Sequence, residues 1–284
     1  MNENGTTPEN NLKTREHRRR GFAHRKTLPG FFKPSAVNTG ICFLKNGSPV
    51  GTPDGGHETP SAKGAARCSA VGAGPARILT VEHLLAATYA LGISNLSIDV
   101  HGGEIPVMDG SALPFVRFFK KAGLADQRES RRVYRVTEPI FCSKAGKALS
   151  VYPSDRFEID YCLDYDYPYL RNQRAAFTVS SAVFEKEIAP ARTFCTLEEA
   201  RQLKQKGLGL GGNAGNNIVV SPDGSHRKRL RFPDECARHK ILDIIGDLSL
   251  LGFPILGKVI GIRSGHSLNR ELAQAIRRQK DHGK

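Results

Sequence analysis

The sequence predicts an α+β fold in two domains, and three observations carry that expectation. The chain has 284 residues, enough for about two domains at roughly 150 residues each. Apolar residues at 39% and charged residues at 25% leave each half able to bury its own core. Strand-like and helical stretches follow one another without regular βαβ alternation, which fits α+β better than a doubly wound sheet.

Residues 1–30 are polar and basic without strand or helix periodicity, so no regular structure is expected there. From Phe31 a first domain begins, expected over 31–128. Ala36 to Phe43 reads as a turn entering a strand, and 47–63 as a Gly/Pro-rich loop. Thr80 to Leu91 reads as a helix, with Thr80 as N-cap and Gly92 as the stop. Asn95 to Val100 alternates like a strand, and Gly110 to Ala122 reads as a second helix closed by Gly123. The charged run from Asp126 to Arg132 separates the halves, and the second domain is expected over 132–284. Strands are expected at 133–141, 147–152, 157–163 and 174–180, a helix from Leu197 to Lys206, then a Gly-rich turn over Gly207 to Gly212. A short strand at Ile218 to Ser221 precedes the strongest helix, Asp234 to Leu251, which lies between Pro233 and Gly252. A strand at 256–263 and a helix at 267–279 finish the chain.

No stretch approaches the roughly 18 uninterrupted apolar residues of a membrane span. Met1 to Asn11 lack an apolar core of a secretory signal, so the expected compartment is the cytoplasm. The six cysteines are scattered without a CxxC pair, which suits neither a zinc ribbon nor a disulfide framework. Of the formal charge of +14, the stretch from Lys13 to Lys26 supplies +6, through seven Lys/Arg against Glu16. The remainder favours anionic partners such as phosphates. Aromatic or groove-reading elements do not accompany the basic run, so no nucleic acid is expected as partner.

The chemistry gathers on two helices. His239, Asp243 and Asp247 recur at four-residue intervals, so they share one helix face, flanked by Ile241, Ile244, Ile245 and Leu248. His-x3-Asp is a workable bite for one metal ion, and an exposed i,i+4 pair is the other reading of this helix taken alone. Glu82 and His83 stand in apolar company, where such residues are seldom buried without a partner. His83 as a third ligand gives His2Asp around zinc with a fourth position open for water, and Glu82 becomes a base for that water. His266, in the turn Ser264-Gly265-His266, is either a cap or surface residue or the acid on the leaving-group side.

Six blocks together carry a resemblance: Thr80-Val81-Glu82-His83-Leu84-Leu85-Ala86-Ala87, Glu104 to Ser111, Ala191-Arg192-Thr193-Phe194, Gly207 to Gly212, Arg238 to Leu248, and Ser264-Gly265-His266-Ser267-Leu268-Asn269. In order and rough spacing they resemble the signature blocks of the zinc-dependent UDP-3-O-acyl-N-acetylglucosamine deacetylases of lipid A biosynthesis, and several long blocks are far more specific than one short motif. The resemblance implies two related two-layer α/β sandwich domains with the active site between them, acting on UDP-3-O-acyl-N-acetylglucosamine; a monomer is expected. It implies Zn2+ held by His83, His239 and Asp243, with Glu82 as general base and His266 as catalytic histidine oriented by Asp247. Thr193 matches the residue that helps polarise the substrate carbonyl, and Phe194 and Lys240 match contacts to the sugar and diphosphate. An acyl-chain-binding insert is implied at about 194–219, where Leu197, Ala200, Leu203, Leu208, Leu210 and Gly212 would line or close a channel; ordinary core is the other reading of these leucines.

The sequence departs from that family at its start. The family's opening Gly-x-Gly-Leu-His-Ser/Thr-Gly is absent, and Arg18-Arg19-Arg20-Gly21-Phe22-Ala23-His24-Arg25-Lys26-Thr27 stands in its place. Codons for Phe-Ala-His-Arg-Lys-Thr can be read, shifted by one base, as Leu-His-Thr-Gly-Lys, and those for His-Arg-Arg-Arg-Gly as Ile-Glu-Gly-Val-Gly. A basic tail and a diverged first strand are the alternatives. If the strand is missing, a sheet edge is exposed. Three further functions compete with deacetylation: an inactive metal- or UDP-sugar-binding relative, a basic nucleic-acid binder, and an amidohydrolase for another N-acyl substrate.

Overall fold

Apolar alternation decides most of the strands. In Phe157–Leu163 the residues Phe157, Ile159, Tyr161 and Leu163 are buried, while Glu158, Asp160 and Cys162 between them are half-buried. Such a strand has one core face and one outer face, and helices must cover the core face. The computed structural model describes residues 18–22, 32–51, 68–205, 207, 213 and 215–282.

The first half contains strands β1 (Arg18–Phe22), β2 (Phe32–Pro34), β3 (Ile41–Lys45), β4 (Ser48–Gly51), β5 (Ala70–Val71) and β6 (Ile78–Leu79), helix α1 (Glu82–Ala90), β7 (Ile93–Val100), α2 (Leu113–Ala122) and β8 (Leu124–Ser130). Its sheet runs β4-β3-β7-β1-β8, with β2 pairing β7 beyond the end of β1. The second half contains β9 (Tyr134–Arg135), β10 (Ile140–Lys144), β11 (Lys147–Tyr152), β12 (Phe157–Leu163), β13 (Gln173–Thr178), α3 (Ser181–Val183, running into a π-helical turn over Phe184–Ile188), β14 (Phe194–Thr196), α4 (Leu197–Gln205), β15 (Ile218–Val220), α5 (Glu235–Ser249), β16 (Ile255–Ile262) and α6 (His266–His282). Its sheet runs β10-β11-β16-β12-β13, with β9 on β16.

The two halves share a topology. Each has a central strand, β7 or β16, that follows a helix; a parallel neighbour, β3 or β12; and a hairpin partner of that neighbour, β4 or β13. Each central strand also has an antiparallel neighbour on its other side, β2 or β11. The helices α1 and α5 precede the central strands and pack on each other, so the helical layers meet between the two sheets. Gly246 makes this contact possible, because a Cβ there would lie 2.2 Å from the carbonyl oxygen of Glu82. The fold is thus α+β, as expected.

Several boundaries differ from the expectations. Arg18–Phe22 is a strand, paired parallel to β7 and antiparallel to β8. Backbone pairing uses N–H and C=O groups that arginine supplies as well as any non-proline residue, so the loss of apolar alternation hid the strand without preventing it. The rest of the basic segment lies outside the described residues. The edge that a missing strand would have exposed is therefore filled among the described residues. The charged stretch after Gly123 is also a strand, β8, paired with β1 as far as Ser130. Thr80 is not the cap of α1: Val81 holds that position, while Thr80 sits at φ +59° and its hydroxyl donates to Glu104 Oε1 at 2.7 Å. Of the expected 47–63 loop, 48–51 is strand β4, and 52–63 lies outside the described residues.

Candidate active site

The site lies where α1 and α5 meet. His239, Asp243 and Asp247 all point to the buried side of α5, and Glu82 and His83 are buried in the first turn of α1. His239 Nε2 is 3.4 Å from Asp243 Oδ1, and His83 Nε2 is 4.0 Å from the same oxygen. One ligand atom from each of the three lies within 4.8 Å of the others. Burial and the neighbouring His239 push His83 down to about 3, and burial lowers His239 as well. Both imidazoles are therefore neutral near pH 7 and offer a lone pair. For Asp243 burial acts upward, but Lys240 and the three histidines outweigh it and hold the carboxyl well below the usual range.

This donor set fits a divalent cation. His239 Nδ1 lies 3.0 Å from the carbonyl oxygen of Ala191, an acceptor that fixes the Nδ1–H tautomer and leaves Nε2 to coordinate. His83 Nδ1 is buried, and among the described residues it has no hydrogen-bond partner that would hold the ring by that atom. Two neutral imidazoles and one carboxylate are the ligand types of catalytic zinc sites.

Two titratable groups flank the cluster with opposite shifts. Burial, reinforced by Asp243 and Asp247, raises Glu82 to about 7. Burial would lower His266, but Asp247 and Asp243 outweigh it and raise the imidazole to about 9. His266 Nδ1 lies 2.8 Å from Asp247 Oδ2, and His266 Nε2 lies 3.9 Å from Asp243 Oδ2. The turn that carries His266 is anchored from β12, where the buried Tyr161 hydroxyl donates to Ser264 O at 2.6 Å. Groups whose environments drive their pKa values apart in one cleft can divide the roles of base and acid.

The segment Ala191–Phe194 borders the cluster because Arg192 is locked to the start of α5. Its backbone N–H and its Nε donate to Glu235 Oε1 at 3.0 and 2.9 Å, and both side chains are buried. Thr193 N donates to Gly110 O at 2.8 Å, and Ile218 N donates to Thr193 O at 2.9 Å. The Phe194 ring centre is 6.4 Å from that of His239 and 5.4 Å from Lys240 Nζ. Lys240 Nζ also donates to Asp243 Oδ2 at 2.9 Å.

The insert is a small βαβ unit, with β14 and β15 parallel and α4 between them. Thr196 and Glu199 cap α4 reciprocally, Glu199 N to Thr196 Oγ1 at 3.1 Å and Thr196 N to Glu199 Oε2 at 2.9 Å. Leu197, Ala200 and Leu203 on α4 are half-buried. Leu208, Leu210 and Gly212 lie outside the described residues.

Three contributors were given no role from the sequence, although Asn269 and the stretch around Gly110 stand within the blocks that carry the resemblance. Ser69 donates its backbone N–H to Glu82 Oε2 at 2.9 Å and its hydroxyl to Asp247 Oδ1. Asn269 Nδ2 donates to Asp247 Oδ2 at 2.7 Å. The third is the stretch around Gly110, where a Cβ would lie 2.0 Å from Asn216 O and where Asp109 pairs with Arg231 at 2.9 Å, tying the first half of the chain to the second. Asn269 was within reach, being one turn beyond His266; Ser69 gave no signal, since its partners lie 13 and 178 residues away.

The comparisons with known proteins agree with one another. The profile of the family described as UDP-3-O-acyl N-acetylglycosamine deacetylase matches residues 20–278, beginning within β1. A UDP-3-O-acyl-N-acetylglucosamine deacetylase of Anaeromyxobacter sp. is 42% identical over 214 residues, 73% of this chain and 69% of that protein. One from Syntrophotalea carbinolica is 44% identical over 200 residues, 70% of this chain and 65% of its own length. One from Acidithiobacillus ferrooxidans is 38% identical over 256 residues, covering 88% and 83%. No helix among the described residues is long and apolar enough to cross a membrane.

Proposed function

The chain belongs to the UDP-3-O-acyl N-acetylglycosamine deacetylase family, and on that premise we propose that it hydrolyses the N-acetyl group of UDP-3-O-acyl-N-acetylglucosamine with zinc as cofactor, releasing acetate in lipid A biosynthesis. The observation that carries this reading is the convergence of His83, His239 and Asp243 between two groups of opposite shift, Glu82 and His266.

In this reading His83 and His239 through Nε2, with Asp243, hold the ion. When bound, zinc supplies Lewis-acid polarisation of the amide carbonyl and a lowered pKa for water. Glu82 takes the proton from the attacking water, a task for which a carboxyl near 7 is well matched close to neutral pH. His266, protonated below about 9 and braced by Asp247, donates to the departing amine. The Thr193 hydroxyl donates to the oxygen that gains charge in the tetrahedral state. Phe194 flanks the sugar, Lys240 meets the diphosphate as a point charge, and the insert with Leu197, Ala200 and Gly212 takes the 3-O-acyl chain.

The direct test is acetate release from UDP-3-O-acyl-N-acetylglucosamine by the zinc-loaded chain and its Glu82→Ala variant. The parent turns over, and the variant keeps its zinc but loses about 10²-fold or more in kcat. No turnover by the parent at full zinc occupancy would favour an inactive relative. Unchanged turnover in Glu82→Ala would remove Glu82 from the base role.

A further inference from the structure

We propose that Ser69 is a positioning residue for this reaction, one that reaches from the first domain to hold Glu82 and Asp247 in a fixed relation. The inference rests on the reading of Glu82 as base and His266 as acid.

Ser69 is fully buried and lies one residue before β5, the first strand of the β5–β6 hairpin that leads into α1. Its carbonyl accepts from Val81 N at 3.3 Å and its own N–H donates to Glu82 Oε2 at 2.9 Å, so its backbone is clamped to the first turn of α1. The backbone contact takes up one oxygen of the carboxylate that removes the proton.

The hydroxyl acts across the domain boundary. The Ser69 hydroxyl is the donor and Asp247 Oδ1 the acceptor. Asp247 Oδ2 then serves His266 Nδ1 at 2.8 Å and Asn269 Nδ2 at 2.7 Å. With both oxygens engaged, the carboxylate plane cannot turn, and the ring of His266 is held with Nε2 toward the Asp243 side of the cleft. Among the described residues no other side chain or backbone group hydrogen-bonds both Glu82 and Asp247. A serine serving only to satisfy its own buried hydroxyl could use any carbonyl nearby. This one joins the two carboxylates that stand behind the proposed base and the proposed acid.

The test compares side chains of matched shape in the zinc-loaded protein. Ser69→Ala and Ser69→Val keep the backbone N–H on Glu82 and lose the donor to Asp247, whereas Ser69→Thr keeps both. With UDP-3-O-acyl-N-acetylglucosamine, kcat is expected to fall about tenfold or more in the Ala and Val variants. KM and zinc content should stay within about twofold of the parent, and Thr should restore most of the rate. In a His266→Gln background, Ser69→Ala should add less than about twofold, because its effect passes through His266. The Thr and Val variants have nearly the same shape, so a defect of folding would lower both and leave their ratio near one. A Val variant as fast as the Thr variant, or a loss that multiplies fully onto His266→Gln, would overturn the proposal. No acetate release by the parent chain would overturn the reading of the site itself, and the role of Ser69 with it.

Discussion

Gly246→Ala is the substitution whose sign the structure decides. In an ordinary helix interior this change adds about 1 kcal/mol of stability, since alanine is the better helix former. Gly246 lies inside α5, but its missing Cβ would stand 2.2 Å from Glu82 O, 2.8 Å from Glu82 C and 2.9 Å from Glu82 Cα. Those are backbone atoms, which no side-chain rotation can move aside. Ordinary contact begins at 3.4 Å, so α1 must retreat from α5 by about 1.2 Å near Glu82. Overpacking of this kind costs about 1–3 kcal/mol. For a chain of this size that is a fall of roughly 2–12 °C in melting temperature. The retreat also carries His83, on α1, away from His239 and Asp243, on α5, by several times the roughly 0.2 Å within which ligand distances hold. Thermal melts with and without saturating zinc, together with metal analysis after dialysis, measure both effects. The melting temperature falls, zinc affinity drops, and the gap between the two melts narrows. A variant that melts at or above the parent with full zinc would refute the close approach of α1 and α5.

Two further predictions concern the site. The purified chain carries about one divalent ion per molecule; His239→Ala loses it and Asp243→Ala retains it only weakly, as read by metal analysis, and full occupancy in both variants would remove these residues as ligands. The rate should follow a bell in pH: Glu82 must be ionised, so activity rises through about 7, and His266 must carry its proton, so activity falls through about 9. His266→Gln should lower the plateau and flatten the alkaline limb, and an unaltered limb would exclude His266 as the acid.

The parts of the site that could be read from the sequence are those that repeat within one element. His239, Asp243 and Asp247 stand at helical spacing, and Glu82-His83 stands out because charge is rare inside an apolar helix. The start of α1 was misread because Thr80 has the composition of a cap, whereas its hydroxyl is spent on Glu104. β1 and β8 were illegible for a different reason: both are charged strands, held by backbone pairing to each other, and strand patterns report side-chain burial. Ser69 and Arg192 act through partners distant in sequence, so only the packing of the two halves reveals them.

β1 has a consequence for how the chain is made. β8 finds its sheet neighbour in β1, and soon after β8 ends at Ser130 the chain crosses to β9 and the second sheet. Arg18 pairs with Ser130, 112 residues later, and Arg20 pairs with Ile93 on the other side. At about 5–20 residues per second of synthesis, β1 waits roughly 5–20 s before both of its neighbours exist. Trimming the chain before Phe32, by a late start of translation or by a protease, removes a middle strand and not a loose end, so β8 loses its place in the sheet together with the crossing that follows it. The segment that is synthesised before everything it pairs with is thus among the last to be seated, and a nascent chain cannot close its first sheet until the crossing to the second sheet is in reach.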